Sequence, residues 1–185
     1  MESRSEVSGL YRTEGNPAPG ELVRLQGFLN TWSEELGIED FATPAAMEQW
    51  LRASFLWDGG KNITIENYQR ILSVRHLLRQ AVQHSHQMTE LEKLQFTLSF
   101  TMEFDESGAP NLKPLGDDCD KLLGRLMLII YNSMTDGSWS RFKCCALESC
   151  GWAFFDSTRS RTKRWCSMRT CGSRHKARQY YKRQR

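Results

Sequence analysis

Long apolar runs are missing from this 185-residue sequence. The longest, LMLII at 126–130, falls far short of the roughly 20 residues that a membrane-spanning helix needs, so no membrane partner is expected. The opening residues, MESRSEVSGLYRTEGNPAPGE, lack the charged and then apolar regions of a secretory leader. A cytoplasmic protein is therefore expected, in a compartment where thiols stay reduced and can hold metal. Catalytic signatures are absent too. The chain has no Gly-rich phosphate loop, no H-E-x-x-H, no evident Ser/His/Asp set, and neither half of the zinc-deaminase signature. An enzyme is not expected. There is no internal repeat and no low-complexity tract.

Cysteine is scarce until residue 144. Cys119 stands apart in GDDCDK and reads as an ordinary thiol at a helix entrance. Then come CALESC (Cys145 and Cys150) and CSMRTC (Cys166 and Cys171), two pairs of equal spacing separated by fifteen residues. Each short loop can bring two thiolates together, and the intervening residues supply a return path, so four soft ligands can surround one tetrahedral Zn²⁺. Cys144 could replace its neighbour; Cys145 is preferred because it makes the two loops alike. An iron–sulfur cluster uses the same four thiolates, and disulfides are the remaining alternative. Four cysteine ligands close a zinc coordination sphere, so one structural rather than catalytic ion per chain is expected.

Acid is nearly missing from the same region. Residues 141–185 carry 13 Lys+Arg against 2 Asp+Glu, whereas residues 1–140 carry 12 against 20. The formal net charge of +3 thus conceals a tail of +11 on a body of −8, the electrostatic footprint of a polyphosphate partner. The tail also has local order. WAFFD after Cys150 is β-prone, Asp156, Ser157 and Thr158 supply turn chemistry, and Gly172 with Ser173 as N-cap should open a helix through RHKARQYYKRQR. On that helix Arg174, Arg178, Lys182 and Arg185 share one face, while Lys176, Tyr180 and Arg183 group on a neighbouring one. A knuckle, a hairpin and a helix beginning at the last ligand make a treble-clef-like arrangement.

Residues 143–183, KCCALESCGWAFFDSTRSRTKRWCSMRTCGSRHKARQYYKR, resemble the CGNR-type zinc finger of bacteria. The family pattern is C-x-x-x-x-C-G-W-x-F-x-D-x-S/T-x-x-x-x-x-R-W-C-S-M-x-x-C-G-N-R-x-K-x-R-x-Y. The resemblance implies that Cys145, Cys150, Cys166 and Cys171 are the ligands and that the module binds DNA in a transcription regulator. Ser173 departs from the pattern, which has asparagine there.

Upstream the pattern is mainly helical. Leu22, Leu25, Leu29, Trp32 and Leu36 form one apolar stripe with Gly37 as its stop. Thr43 and Pro44 open a second helix carrying Met47, Trp50 and Leu51. A third, over about 65–84, buries Ile71, Leu72, Leu78 and Val82 and leaves Arg70, Arg75 and Arg79 mostly solvated. Thr89 and Glu92 resemble a capping box for a short fourth helix. The period then changes to two: Leu98, Phe100, Met102 and Phe104 alternate with polar residues, and a turn at DESG leads to a second strand over 111–115. A last helix over 119–134 ends at Asp136-Gly137. Trp139 and Phe142 in the brief linker should pack the finger on the body. The fold class is therefore mainly α with a small β-hairpin (α+β), with a flexible arm at 1–19, a helical domain at 20–139 and the finger at 140–185.

GFLNTW and LKPLGDDCDKLLGRL are similar to segments of the ABATE domain that commonly precedes CGNR fingers, which implies sensing or ligand binding in stress-linked regulation. Asn30, Thr31 and Arg75 could line a pocket for a small-molecule ligand, or serve only as a helix amide, a hydroxyl and a cation that reaches for solvent. The leading function is a zinc-dependent DNA-binding transcription regulator in which Arg159, Arg161, Lys163, Arg164, Arg174, Lys176, Arg178, Lys182 and Arg183 contact phosphates or base edges. The alternative is an interaction module that docks on RNA polymerase or another transcription protein and touches DNA only non-specifically. A homodimer would multiply base contacts, although no heptad run supports it.

Overall fold

The computed structural model describes residues 13, 16–60, 62–83, 97–147 and 149–184. The short helix expected around Thr89 and Glu92, and Arg185 of the cationic stripe, lie outside these residues. Helix α1 is Leu22–Leu29, entered through a turn in which Leu22 N–H donates to the Pro19 carbonyl. Leu22, Leu25, Phe28 and Leu29 are buried. The helix ends at Asn30, well before the expected Leu36. The Leu29 carbonyl does not continue the ladder but accepts from Arg79 Nη1 (2.5 Å), which also donates to the Trp32 carbonyl just beyond the helix (3.1 Å). Such orphan carbonyls must find a donor somewhere. The chain instead turns into a hairpin of β1 (Trp32–Ser33) and β2 (Ile38–Glu39). Gly37 provides a positive φ of 62° in that turn rather than a helix stop, and Leu36 is left 56% exposed.

Helix α2 (Pro44–Ala53) begins as the sequence dictates: the Thr43 hydroxyl accepts from Ala46 N–H (3.1 Å) and Pro44 occupies the first turn. Helix α3 (Ile65–Gln83) buries Ile71, Val74, Leu78, Ala81 and Val82. Arg75 and Arg79 on this helix are each only 7% exposed, contrary to the expected solvation. Arg75 forms a bidentate pair with Glu39 and also donates to Thr31 Oγ1 (3.0 Å), while Arg79 lies over the Trp32 ring. The hairpin and the end of α1 supply enough acceptors to hold both guanidinium groups out of water. Arg70, by contrast, pairs with Asp120 (2.8 Å) at a half-exposed position.

Strands β3 (Ser99–Phe104) and β4 (Pro110–Leu115) pair antiparallel, with Met102 opposite Leu112. Helix α4 (Asp118–Thr135) follows, capped by Asp117, which accepts from Asp120 N–H (2.8 Å). The hairpin lies against α4 at Gly124, where a Cβ would stand 2.3 Å from Pro114 Cβ. Cys119 is fully buried, and burial pushes its thiol up to about 11. It is the neutral, packed thiol that the sequence suggests. Helix α4 stops where Gly137 takes φ 78°, and a 3₁₀ turn (Ser138–Arg141) leads into the cysteine-rich region.

The main core gathers the buried faces of α1 to α4 and continues into that region through Phe142 and Ala153. Trp139 and Phe142 pack at 5.6 Å between ring centroids, so the linker aromatics join the finger to the body as expected. Part of the expected arm is held as well. Ala18 N–H donates to Gln26 Oε1 (2.7 Å), and Lys163 Nζ donates to Asn16 Oδ1 (2.9 Å). Among the described residues no helix is long and apolar enough to cross a membrane.

Candidate metal centre and basic surface

Strand β5 (Phe142–Cys144) pairs antiparallel with β6 (Ala153–Phe155), and the pairing continues as Cys145 N–H donates to the Trp152 carbonyl (2.9 Å). Side chains alternate along a strand, which decides between the adjacent cysteines. Cys144 packs on the main core near Arg79, and burial pushes its thiol up to about 12. Cys145 faces the other way, into a second cluster with Leu147, Cys150, Trp152, Phe154, Cys166 and Cys171. The knuckle between Cys145 and Cys150 closes when the N–H groups of Cys150 and Gly151 both donate to the Leu147 carbonyl. Gly151 has φ 55° there.

The second cysteine pair is brought over the first by Ala146 N–H, which donates to the Arg164 carbonyl (2.8 Å). Beyond Cys166 the chain enters a π-helical turn (Met168–Gly172) that runs directly into helix α5 (Ser173–Arg183). Ser173 is therefore not the N-cap. Its backbone is already helical (φ −66°, ψ −42°), and its hydroxyl donates to the Met168 carbonyl (3.2 Å). The cap is Ser167, whose side chain accepts from Thr170 N–H (3.3 Å). Helical geometry must begin before Cys171 so that this ligand can point back from the first turn.

The four Sγ atoms lie within 4.8 Å of one another, with Cys150–Cys166 at 3.8 Å and Cys166–Cys171 at 3.6 Å. A tetrahedral ion with metal–sulfur bonds of about 2.3 Å would place its ligands about 3.8 Å apart. All four side chains are buried under Leu147, Trp152 and Phe154, with Ile38 and Trp165 at the rim. Protonation points the same way. Hydrogen bonds from Cys150 and Cys166 hold the Cys145 thiol below its usual range, and the same contacts push Cys150 and Cys166 up. Four thiolates this close together require a cation. The site is compatible with one structural zinc, and all six cysteines are free of disulfides.

Asp156, which sequence reasoning treated only as a turn residue, organises the loop between the hairpin and Cys166. Its fully buried carboxylate accepts from Lys143 Nζ (2.7 Å), from the Thr158 hydroxyl (2.5 Å) and N–H (3.0 Å), and from Lys163 N–H (2.9 Å). Burial opposes its ionisation, but the hydrogen bond from Lys143 and those from Thr158 and Lys163 prevail and hold it down to about 2. Arg161, at φ 54°, forms the turn of this loop.

The expected DNA-contacting residues divide into two groups. Lys163 is half-buried, bonded to Asn16 and placed over the Phe154 ring, and Arg174 pairs with Glu35 of the β1–β2 turn. Arg159, Arg161, Arg164, Lys176, Arg178, Lys182 and Arg183 are exposed and pair with no acid among the described residues. Arg169, which was not singled out from the sequence, is exposed in the π-helical turn.

Asn30, Thr31 and Arg75 are buried and hydrogen-bonded within the protein. The Asn30 amide pairs with β6 as another strand would: Ala153 N–H donates to Oδ1 (2.8 Å), and Nδ2 donates to the Ala153 carbonyl (2.9 Å). Thr31 and Arg75 are joined to each other. Nearby, Gln26 Nε2 donates to the Ala153 carbonyl (3.3 Å), Arg79 Nη2 donates to the Gly151 carbonyl (3.0 Å), and the Ser149 hydroxyl donates to Glu35 (2.9 Å). These long-range partners fasten the finger to the body, and no local pattern in the sequence announces them.

Four buried cysteines on two loops, a β-hairpin and an adjoining helix place this region in the class of zinc fingers. The family model of the CGNR zinc finger matches residues 141–184. No curated protein matches the chain.

Proposed function

We propose that the protein is a zinc-dependent DNA-binding transcription regulator. Its treble-clef-like finger contacts DNA, and its ABATE-like helical body holds the finger at a fixed angle. The observation that carries this reading is the set of seven exposed cations, Arg159, Arg161, Arg164, Lys176, Arg178, Lys182 and Arg183, free of acidic partners among the described residues. Cations left unpaired on one small module are available to phosphates, and displaced counterions make their binding favourable.

Zinc is the metal we assign. Sulfurs within 4.8 Å of one another surround a single ion rather than a multi-iron cluster, and zinc is the redox-inert ion that a tetrahedral thiolate set commonly holds. With four protein ligands no position is left for substrate or water, which supports a structural, non-enzymatic site. A ligand for the body would fit the cleft of about 980 Å³ lined by Leu22, Leu56, Leu112 and Ile129 together with Arg24 and Arg125, rather than the surroundings of Asn30.

Titration of a labelled random duplex with zinc-loaded protein over a range of salt tests the reading. If six phosphates are engaged, log K falls against log salt with a slope of about −5, and chelation of the metal abolishes binding. Absence of binding at low salt would refute it and favour docking on RNA polymerase or another transcription protein.

A further inference from the structure

Helix α5 is 11 residues long, or about 16 Å at 1.5 Å per residue, and none of its residues is buried. Only His175 is half-buried, stacked 5.4 Å from Trp165. A helix with no apolar face and no covered turn gains little from its own protein. Its orientation is nevertheless fixed at the root: Arg174 is tied to Glu35 of the body, and His175 to the finger. At about 100° per residue, these two contacts define the side of α5 that faces the protein. Lys176, Gln179, Tyr180 and Arg183 occupy the side opposite Arg174, within a span of about 100°. All four are exposed, and Tyr180 is 60% accessible. Arg178 and Lys182 lie about 40° and 80° round from Arg174, one and two turns beyond it, and both are exposed.

Resting on the DNA-binding reading above, we propose that α5 enters the major groove of duplex DNA with Lys176, Gln179, Tyr180 and Arg183 toward the base edges, and that Gln179 is a specificity-determining residue. The protein occupies the Arg174 side, so a groove floor can approach only from the other. The major groove, about 12 Å wide, admits a helix; the minor groove, about 6 Å wide, does not. The chemistry of the outward face suits base reading. A glutamine amide can both donate to and accept from adenine, and lysine or arginine donates to the two acceptors of guanine. Lys182, about 80° round from Arg174 and so nearer the flank, meets the phosphates that border the groove. Gln179 carries no charge and so gains nothing from phosphate steering, yet it is exposed on the outward face, at the edge about 40° from His175.

Selection of a duplex from a random pool on the zinc-loaded full chain, followed by anisotropy titrations of the winning duplex, tests the proposal. Gln179→Ala should weaken binding to that duplex roughly tenfold, leave binding to random duplex and the salt slope unchanged, and relax the selected sequence at one position. Lys182→Ala should weaken both duplexes alike and reduce the slope by about 0.9. Replacing purine N7 by carbon in the selected site should weaken binding, and the minor-groove ligand netropsin should not displace the protein. A pool with no consensus, displacement by netropsin, or equal affinity of Gln179→Ala and wild type would overturn the major-groove assignment while leaving DNA binding intact. Equally tight binding of an A-form RNA duplex, whose deep groove excludes a helix, would overturn it too. Failure to bind any duplex would instead remove the DNA-binding reading itself. Metal content of each variant verifies that the finger is folded.

Discussion

Substitution of Arg79 by methionine should destabilise the whole protein rather than one part of it. The guanidinium is buried without a carboxylate partner among the described residues and donates to three backbone carbonyls: Leu29 at the end of α1, Trp32 in β1, and Gly151 in the knuckle. Methionine fills similar volume but donates nothing. Each carbonyl left without a donor costs about 1–3 kcal/mol, less wherever water can enter, and the cation over the Trp32 ring is lost as well. A deficit of about 3–5 kcal/mol is expected, a large fraction of the stability of an ordinary domain. For a chain of this length that corresponds to a fall in Tm of roughly 6–20 °C. Lysine, a single point charge, can reach one or two of the three carbonyls and should fall between wild type and methionine. Urea unfolding of the zinc-loaded protein, followed by tryptophan fluorescence and by metal release, measures both effects. The two signals should coincide in wild type and separate in Arg79→Met as the finger loosens first. A loss below about 1 kcal/mol with coincident signals would refute the idea that Arg79 joins the two parts.

Other substitutions test other parts of the structure. Cys145→Ser should abolish stoichiometric metal in elemental analysis, whereas Cys144→Ser should retain one ion per chain, because the strand turns Cys144 toward the main core. Asp156→Asn should cost about 2 kcal/mol, the equivalent of a carboxyl held down from 3.8 to about 2. That contribution is complete above about pH 4, where Asp156 is ionised in folded and unfolded chains alike, and it is lost as pH falls toward 2. The gap between wild-type and variant urea midpoints should therefore be constant at neutral pH. Gly124→Ala should cost about 1–3 kcal/mol in thermal melts, because its methyl group would meet Pro114 Cβ.

The features legible in the sequence are those whose causes lie within a few residues. Thr43-Pro44 opens α2, Asp136-Gly137 ends α4, and the two-residue alternation of Phe100, Met102 and Phe104 marks β3. The metal ligands were legible because two equally spaced pairs specify their own geometry. The extent of α1 was not. Trp32 and Leu36 continue an apolar stripe by spacing alone, and the chain leaves the helix because Arg79, some fifty residues later, takes the carbonyls of Leu29 and Trp32. The role of Asn30 is invisible locally for the same reason, since its partner Ala153 stands 123 residues away. Ser173 followed a local rule correctly but at the wrong turn, because Ser167 caps first and the ligand Cys171 must already be helical. Charge counts located the basic surface, yet could not separate the cations occupied by Asn16 and Glu35 from those left free.

The Asn30 amide on β6 also bears on modularity. An amide that closes both hydrogen bonds of one residue acts as a one-residue strand, so the finger's hairpin is completed from outside its own sequence. A finger transplanted onto an unrelated body would arrive with Ala153 unpaired and Phe142 uncovered, whatever its metal content. Exchange of the cysteine-rich region between proteins would have to carry Gln26, Asn30 and Arg79 along with the cysteines. The unit that can be inherited or recombined intact is therefore larger than the zinc-binding segment, and it begins at α1.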